Sequence, residues 1–129
     1  MKEMKYCSHQ ERGEEEILCK DNYRGYTFYI LSLGTHPCAY IVLDNYSPFF
    51  RMDYSELQCI ECHGGLTYSE DFLGYHPVII PHSTNHWIIG WDYAHSCDKL
   101  GVISDGKEWT THEIYVECLD VIDDIIKKS

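Results

Sequence analysis

The sequence predicts an α+β domain in which a small, mostly antiparallel sheet of four to five strands, joined by long loops, packs against a C-terminal amphipathic helix. Two patterns indicate this fold class. Runs of branched and aromatic residues recur along the chain, as expected for strands. The chain end changes to an apolar period of three and four residues, which is typical of a helix. A length of 129 residues fits one domain, residues 1–129.

The N-terminal half predicts one hairpin after an irregular start. Residues 1–24 are charged and irregular, so we expect a weakly specified segment with a short helix or strand around residues 17–19. The runs YTFYILSL (26–33) and CAYIVL (38–43) read as two strands. The four residues between them, GTHP, favour a turn, so the two runs predict a β-hairpin.

The middle of the chain predicts mostly loop. Residues 44–56 contain a proline and no periodic pattern, and residues 64–85 contain one short apolar run, 78–80. Residues 57–63 alternate in polarity and predict a strand. That strand would place the two cysteines of this stretch on opposite faces of the sheet.

The C-terminal third predicts a strand, a loop and a helix. HWIIGWD (86–92) is the strongest strand pattern in the chain, and residues 93–109 are rich in turn residues. Thr110 and Glu113 form a capping-box pattern, so we expect a helix over residues 110–128. Its predicted buried face consists of Ile114, Cys118, Ile122 and Ile125.

Composition excludes some classes of partner. The net charge is −11, with 21 acidic and 10 basic residues, and direct nucleic-acid binding needs Lys and Arg. No apolar run has the length of a membrane helix, and the N-terminus lacks a signal-peptide pattern. We therefore expect a cytoplasmic protein without membrane or direct nucleic-acid partners. The sequence leaves the oligomeric state open.

The stretch Cys59-Ile60-Glu61-Cys62-His63 matches the attachment motif of c-type haem and half of a zinc site. Haem attachment is disfavoured because no export signal is present and the motif lies in a predicted strand. Zinc needs two further ligands, and the other five of the seven cysteines are scattered. We therefore expect most thiols to act as small apolar side chains.

Two polar groups are candidate site residues. Asp92, His95 and Asp98 recur every three residues directly after a strand, where they could hold a divalent metal or instead form local hydrogen bonds. The loop residues that could contact a ligand are His63, Gly64, Gly65, Thr67 and Tyr68, the glycines through their backbone. We expect His63 to meet the Asp92 turn in space, which would make His63, Asp92, His95 and Asp98 the set for a metal.

These segments, in this order, resemble a family of small proteins encoded by bacteriophages and prophages. CAYIVL is similar to the family's Cys-Gly-Tyr-Val strand, and HGGLTYS (63–69) to its His-Gly-Gly-Leu-Thr-Tyr/Phe-Ser signature. HWIIGWDYAHSCD (86–98) is similar to its Trp-Trp-x-Gly-Phe-Asp-x-Ala-His-x-x-Asp segment, and residues 108–125 to its C-terminal helix. The resemblance implies a phage accessory protein in a host cytoplasm, and it implies no particular reaction.

A phage setting favours proteins that counter host defence by binding. The first hypothesis is sequestration of a small polar, nucleotide-like signal in a pocket built from residues 63–69 and 91–98, with aromatics such as Tyr68 and Trp91 stacking on a base. The second is an acidic protein inhibitor, of the kind that can mimic DNA, that blocks a host defence nuclease. The third is a metal-dependent hydrolase that uses the His63, Asp92, His95 and Asp98 set.

Overall fold

The computed structural model describes residues 16–33, 36–75, 78–93 and 109–129. Seven strands, one short 3₁₀ turn and one long helix make up this part of the chain. In chain order they are β1 (Glu16–Tyr23), β2 (Tyr26–Ser32), β3 (Pro37–Asp44), the 3₁₀ turn Tyr54–Glu56, β4 (Tyr68–Glu70), β5 (Leu73–Tyr75), β6 (Val78–Ile80), β7 (His86–Asp92) and α1 (Thr111–Lys128).

The strands form a five-stranded sheet in the order β1-β2-β3-β7-β4 and a separate two-stranded sheet, β5-β6. Every pairing in both sheets is antiparallel. Helix α1 packs against β1, β2 and β3. The predicted α+β class is therefore confirmed, with β7 inserted between the hairpin strand β3 and the short strand β4.

Both predicted strands of the hairpin and the predicted strand 86–92 are present. Strands β2 and β3 pair antiparallel, as the predicted hairpin requires. Strand β7 has the predicted bounds and pairs with β3 along its whole length, from Cys38 opposite Asp92 to Asp44 opposite His86. The sequence thus predicts each of the two strands at the sheet centre, β3 and β7, but does not predict that they pair.

The strand that the sequence offers as an alternative around residues 17–19 is present, and it belongs to the eight-residue strand β1 in a segment expected to be weakly specified. A two-residue turn, Arg24-Gly25, joins β1 to β2, and both of its residues have positive φ, 52° and 91°. Turns of this type match the twist of paired strands. Leu18 and Cys19 are buried in the core, so packing stabilises a segment whose composition reads as polar. Residues 1–15 lie outside the described part.

The segment 57–63 is a series of turns, so the predicted strand there is wrong. Leu57 and Ile60 are both buried, and Ile60 donates a backbone hydrogen bond to Leu57 over 3.0 Å. A spacing of three places both side chains on one side of a turn, whereas a strand would separate them. Residues 64–85, predicted as mostly loop, contain the three short strands β4, β5 and β6.

The five-stranded sheet has an apolar cluster on each face. One cluster lies between the sheet and α1 and includes Ile89, Trp91 and Tyr93. The second lies on the opposite face, where Leu73 and Val78 of the two-stranded sheet pack against the sheet residues Leu31, Cys38, Tyr40 and Ile88. Successive residues of a strand point to opposite faces, so β7 contributes to both clusters.

Helix α1 follows the prediction closely. The predicted face of Ile114, Cys118, Ile122 and Ile125 is buried. Thr110 caps the helix, because its side chain accepts a hydrogen bond from the backbone of Glu113, and the Glu113 side chain accepts one from the backbone of Thr110. Among the described residues, no helix is long and apolar enough to span a membrane.

Replacing Thr110 with Ala should lower the free energy of unfolding by about 1 kcal/mol, because the first turn loses its side-chain cap. Thr110→Ser keeps the accepting oxygen and should stay within about 0.5 kcal/mol of the wild type. Urea unfolding followed by far-ultraviolet circular dichroism measures both changes. Equal midpoints for Thr110→Ala and the wild type would show that the capping box adds no stability.

Candidate functional site

A cavity of about 260 Å³ opens beside the end of the sheet where β3 and β7 are paired. It lies on the face opposite α1, because Cys38 and Tyr40 of its wall belong to the cluster on that face. Strand β4 and the residues around the β2–β3 turn complete the wall. The lining residues are Leu33, His36, Cys38, Tyr40, Thr67, Tyr68, Trp91 and Asp92.

Four of the candidate residues from the sequence line this cavity: Thr67, Tyr68, Trp91 and Asp92. The other four lining residues, Leu33, His36, Cys38 and Tyr40, lie on or beside the β2–β3 hairpin. They were missed because the site depends on the pairing of β3 with β7. That pairing joins residues about fifty positions apart, and neither strand carries a local signal for it.

The carboxylate of the cavity belongs to Asp92, the last residue of β7. Thr67 donates a backbone hydrogen bond to the Gly90 carbonyl over 2.9 Å, which holds Thr67 against β7. Its hydroxyl then makes a long hydrogen bond of 3.5 Å to Asp92 Oδ2. A carboxylate has about four acceptor positions, and the contact with Thr67 uses one of them.

Two tyrosines form the aromatic part of the wall. Tyr40 on β3 and Tyr68 on β4 are both paired with Gly90 of β7, one from each side. Their rings meet edge to face with centroids 5.2 Å apart. The Tyr68 hydroxyl donates to the Phe72 carbonyl over 2.5 Å, which fixes the second ring.

Gly90 is required by this arrangement of rings. A Cβ atom at position 90 would lie 2.4 Å from Tyr40 Cδ1 and 2.7 Å from the Ala39 carbonyl oxygen. Both distances are far shorter than van der Waals contact, so any side chain would displace the Tyr40 ring. The glycine in the centre of β7 therefore sets the position of the aromatic wall.

His63 lies on the other face of the sheet, away from Asp92. Its ring stacks on Tyr93 with centroids 4.7 Å apart and planes 5° from parallel, and meets Trp109 at 4.9 Å. Tyr93 belongs to the cluster under α1, and strand alternation turns its neighbour Asp92 to the opposite face. The expected meeting of His63 with Asp92 is therefore not observed.

The Glu117 carboxylate on α1 is the centre of the helix-side network. It accepts hydrogen bonds from the His63 backbone N–H over 3.1 Å, from Trp91 Nε1 over 3.2 Å and from the Tyr93 hydroxyl. Burial, reinforced by the hydrogen bond to Glu117, raises the pKa of Tyr93 far above its ordinary value. Tyr93 therefore remains a protonated donor at any working pH.

Trp91 has a different role from the predicted one. Its side chain is 1% exposed, and its indole N–H is also 3.0 Å from the Tyr93 hydroxyl within the helix-side cluster. Trp91 borders the cavity, but the buried indole is not available to stack on a ligand there. Of the two tyrosine rings that border the cavity, Tyr40 is also buried, at 4% exposed, and Tyr68 is half-buried.

Gly64 and Gly65 form a backbone turn and do not line the cavity. Both have positive φ, 70° and 81°, and Gly65 donates a backbone hydrogen bond to Cys62 over 3.0 Å. A Cβ at position 65 would also approach Gln58 Oε1 to 3.1 Å. Local geometry thus explains this pair of glycines without a ligand.

The two cysteines of the Cys-x-x-Cys stretch have different surroundings. Cys59 is exposed, so it is an exception to the expectation that most thiols pack as small apolar side chains. Cys62 is partly buried and packs against the helix-side cluster. Burial and the nearby charge of Glu117 raise the pKa of the Cys62 thiol to about 12.

Within the described ranges 16–33, 36–75, 78–93 and 109–129, no group of three His, Cys, Asp or Glu side chains is arranged to hold a metal ion. Two members of the proposed metal set, His95 and Asp98, lie outside those ranges. The other two, His63 and Asp92, are on opposite faces of the sheet. Around the cavity, the described residues therefore bring together the Asp92 carboxylate and aromatic rings.

Comparison with family models, with curated proteins and with solved structures finds no match to this chain.

Replacing Glu117 with Gln should lower the free energy of unfolding by about 1–3 kcal/mol, because buried donors of Trp91 and Tyr93 lose their charged acceptor. Asp120→Asn is the matched control, since it removes one negative charge from the exposed side of the same helix and should change stability by less than about 0.5 kcal/mol. Urea unfolding followed by tryptophan fluorescence measures both. Equal losses in the two variants would contradict the role of the network.

Alkylation should separate the two thiols of the Cys-x-x-Cys stretch. Raising the pKa of Cys62 from 9.0 to about 12 leaves about a thousandfold less thiolate, the form that reacts. Native protein treated with iodoacetamide at pH 8 should therefore be labelled at Cys59 well before Cys62, as located by peptide mass spectrometry. Labelling in urea, where the rates should converge, is the control. Equal rates in native protein would contradict the burial of Cys62.

Proposed function

We propose that the protein acts by binding, and that the cavity beside β3 and β7 holds one small, polar, nucleoside-like ligand. The observation that carries the proposal is the composition of this cavity, where the Asp92 carboxylate stands beside the tyrosine pair Tyr40 and Tyr68. Ligand sites combine apolar and aromatic walls with a few convergent polar groups. This cavity has that combination on a rigid strand pair.

The size of the cavity limits the ligand. Pockets that enclose drug-sized molecules have volumes of about 300–1,000 Å³. A volume of about 260 Å³ lies just below that range, and the cavity is partly open to solvent. It therefore suits a single nucleobase or nucleoside better than two linked nucleotides, which would extend beyond it.

The chemistry of the wall favours the base end of such a ligand. Aromatic rings support a planar base through stacking or edge contacts, worth about 1–3 kcal/mol per base. Asp92 accepts hydrogen bonds from ring N–H or amino groups, and Thr67 has a hydroxyl. Among the lining residues that the structure describes there is no Lys or Arg, so a phosphate gains little here.

In the phage setting that the family resemblance implies, this binding would withhold a nucleotide-like signal from a host defence protein. The alternative of an acidic, DNA-like inhibitor gains less support from the geometry. Such an inhibitor needs free surface carboxylates, but Asp123 and Asp124 of α1 are paired at 2.8 and 2.9 Å with Arg24 and Lys128. The metal hydrolase gains no support from the described residues, which do not bring His63 to Asp92.

Thermal-shift screening followed by titration calorimetry tests the proposal. The probes are the common nucleosides, their 5′-monophosphates and a cyclic dinucleotide. At least one nucleoside should raise the melting temperature, because a ligand that binds only the folded state stabilises it. Asp92→Asn should weaken that binding about tenfold, since a charged acceptor is replaced by an amide.

Glu70→Gln is the control for Asp92→Asn. It removes one exposed carboxylate from strand β4, at a position that does not line the cavity, and should leave binding unchanged. A panel in which no compound stabilises the wild-type protein would contradict the proposed function. So would equal weakening of binding by both substitutions, because the effect would then come from overall charge.

A further inference from the structure

A second cavity, which we call the Asp44 cavity, lies at the other end of the paired strands β3 and β7. It has a volume of about 150 Å³, and its lining includes Thr27, Val42, Asp44, Asn85 and His86. The pair of Asp44 and His86 is six residues along the strands from Asp92, which borders the first cavity. Six residues of a strand span about 20 Å, so the two cavities are separate.

We propose that the Asp44 cavity binds a primary ammonium group at the end of an alkyl chain. Three acceptors hold the ammonium group, one each from Asp44, Asn85 and His86. This site goes beyond the function proposed for the first cavity, and the two cavities share no lining residue.

The strand register brings two of the three acceptors together. Asp44, the last residue of β3, is directly opposite His86, the first residue of β7. Opposite residues of antiparallel strands point to the same face of the sheet, with Cβ atoms about 5 Å apart. Asn85 precedes His86 and also borders the cavity. Two segments far apart in the sequence therefore supply the polar wall of one small cavity.

The hydrogen bonds of His86 determine which ring nitrogen accepts. Nε2 of His86 is 2.8 Å from the backbone oxygen of Asp71 and 3.1 Å from that of Pro81. Carbonyl oxygens only accept hydrogen bonds, so Nε2 carries a hydrogen and donates it. In the neutral ring, Nδ1 is then the acceptor, and no residue in the described ranges donates to it.

Asp44 and Asn85 supply the other two acceptors. Oδ1 of Asp44 accepts the backbone N–H of Tyr46 over 2.9 Å, whereas Oδ2 has no hydrogen-bond partner within the described ranges. The backbone N–H of Asn85 donates to Ser83 over 3.0 Å. The side-chain amide of Asn85 makes no hydrogen bond to any described residue, so its oxygen can turn to a donor in the cavity.

A primary ammonium group matches this set of acceptors. It carries three N–H donors and no acceptor, so each donor meets one of the three groups. The net charge of −11 also attracts cations to the protein. A divalent metal fits less well, because the described residues contain no group of three His, Cys, Asp or Glu side chains arranged to hold one.

The size and exposure of the Asp44 cavity limit the ligand. A volume of about 150 Å³ admits the ammonium group and its first methylene groups, which can pack on Val42. Asp44 and Asn85 are exposed, so water competes for them and we expect a dissociation constant of about 1 mM. A free aliphatic amine and the lysine side chain of a partner protein both end in this group.

Titrations followed by ¹H–¹⁵N NMR test the proposal, with the backbone amide of Gly25 and the side-chain amide of Asn85 as reporters at the cavity. The probes are butylammonium, its N,N,N-trimethyl analogue and a blocked tripeptide with one central lysine, all in about 0.15 M salt to screen long-range attraction. Butylammonium should shift both reporters saturably. The trimethyl analogue has the same charge but no N–H donor, and should bind about tenfold more weakly.

The relative affinities of butylammonium and the tripeptide identify the source of the ammonium group. Tighter binding of the tripeptide indicates a lysine side chain of a partner protein. Tighter or equal binding of butylammonium indicates a free amine. Either result supports the site, whereas reporters that shift with neither probe would overturn the proposal.

Three variants separate the site from the overall charge. Asp44→Asn keeps an oxygen for the Tyr46 turn and should weaken butylammonium binding about tenfold, and Asn85→Ala should weaken it about fivefold. Asp120→Asn is the control, because this exposed carboxylate lies on α1, across the sheet from the cavity, and its removal should leave binding unchanged. Equal weakening by the two Asp variants, or equal binding of butylammonium and its trimethyl analogue, would overturn the proposal.

Discussion

The carboxylate of Glu117 is the interaction on which the arrangement of the sheet, the helix and the central loop depends. Glu117 lies on α1 and accepts hydrogen bonds from the backbone N–H of His63 in the central loop. It also accepts hydrogen bonds from the side chains of Trp91 on β7 and Tyr93 directly after β7. Three segments far apart in sequence are thereby held by one group. Burying part of a carboxylate costs free energy of folding unless its oxygens accept hydrogen bonds. Here the Glu117 oxygens accept hydrogen bonds from the central loop on one side and from the end of the sheet on the other.

The same interaction orients the cavity on the opposite face. Side chains alternate along a strand, so fixing Trp91 and Tyr93 toward the helix fixes Gly90 and Asp92 toward the cavity. Of the described residues in the helix-side network, Trp91 borders the cavity. The network also determines the direction of the Asp92 carboxylate, and a one-residue slip of β7 would exchange the two sets of side chains. The register of β7 thus determines both the packing on the helix side of the sheet and the position of the cavity residues on the other side.

Local features of this fold could be predicted from the sequence, and features that depend on strand pairing could not. The capping box of Thr110 and Glu113 and the bounds of β7 are local patterns, and the structure has both. The cavity needs Cys38 opposite Asp92 and Tyr40 opposite Gly90, and nothing within either strand indicates that register. We expected His63 to meet Asp92 as part of one site, but stacking on Tyr93 holds His63 on the helix side.

Gly90 connects sheet packing to ligand choice. A strand centre normally disfavours glycine, because glycine loses more backbone entropy on folding and contributes no packing side chain. Here any Cβ would collide with the Tyr40 ring and the Ala39 carbonyl. A side chain at position 90 would displace the Tyr40 ring away from β7 and toward the cavity that it now lines. The displacement would also separate the Tyr40 ring from the Tyr68 ring. Gly90 therefore costs backbone entropy on folding, but its missing side chain keeps the aromatic-walled cavity open beside the Asp92 carboxylate.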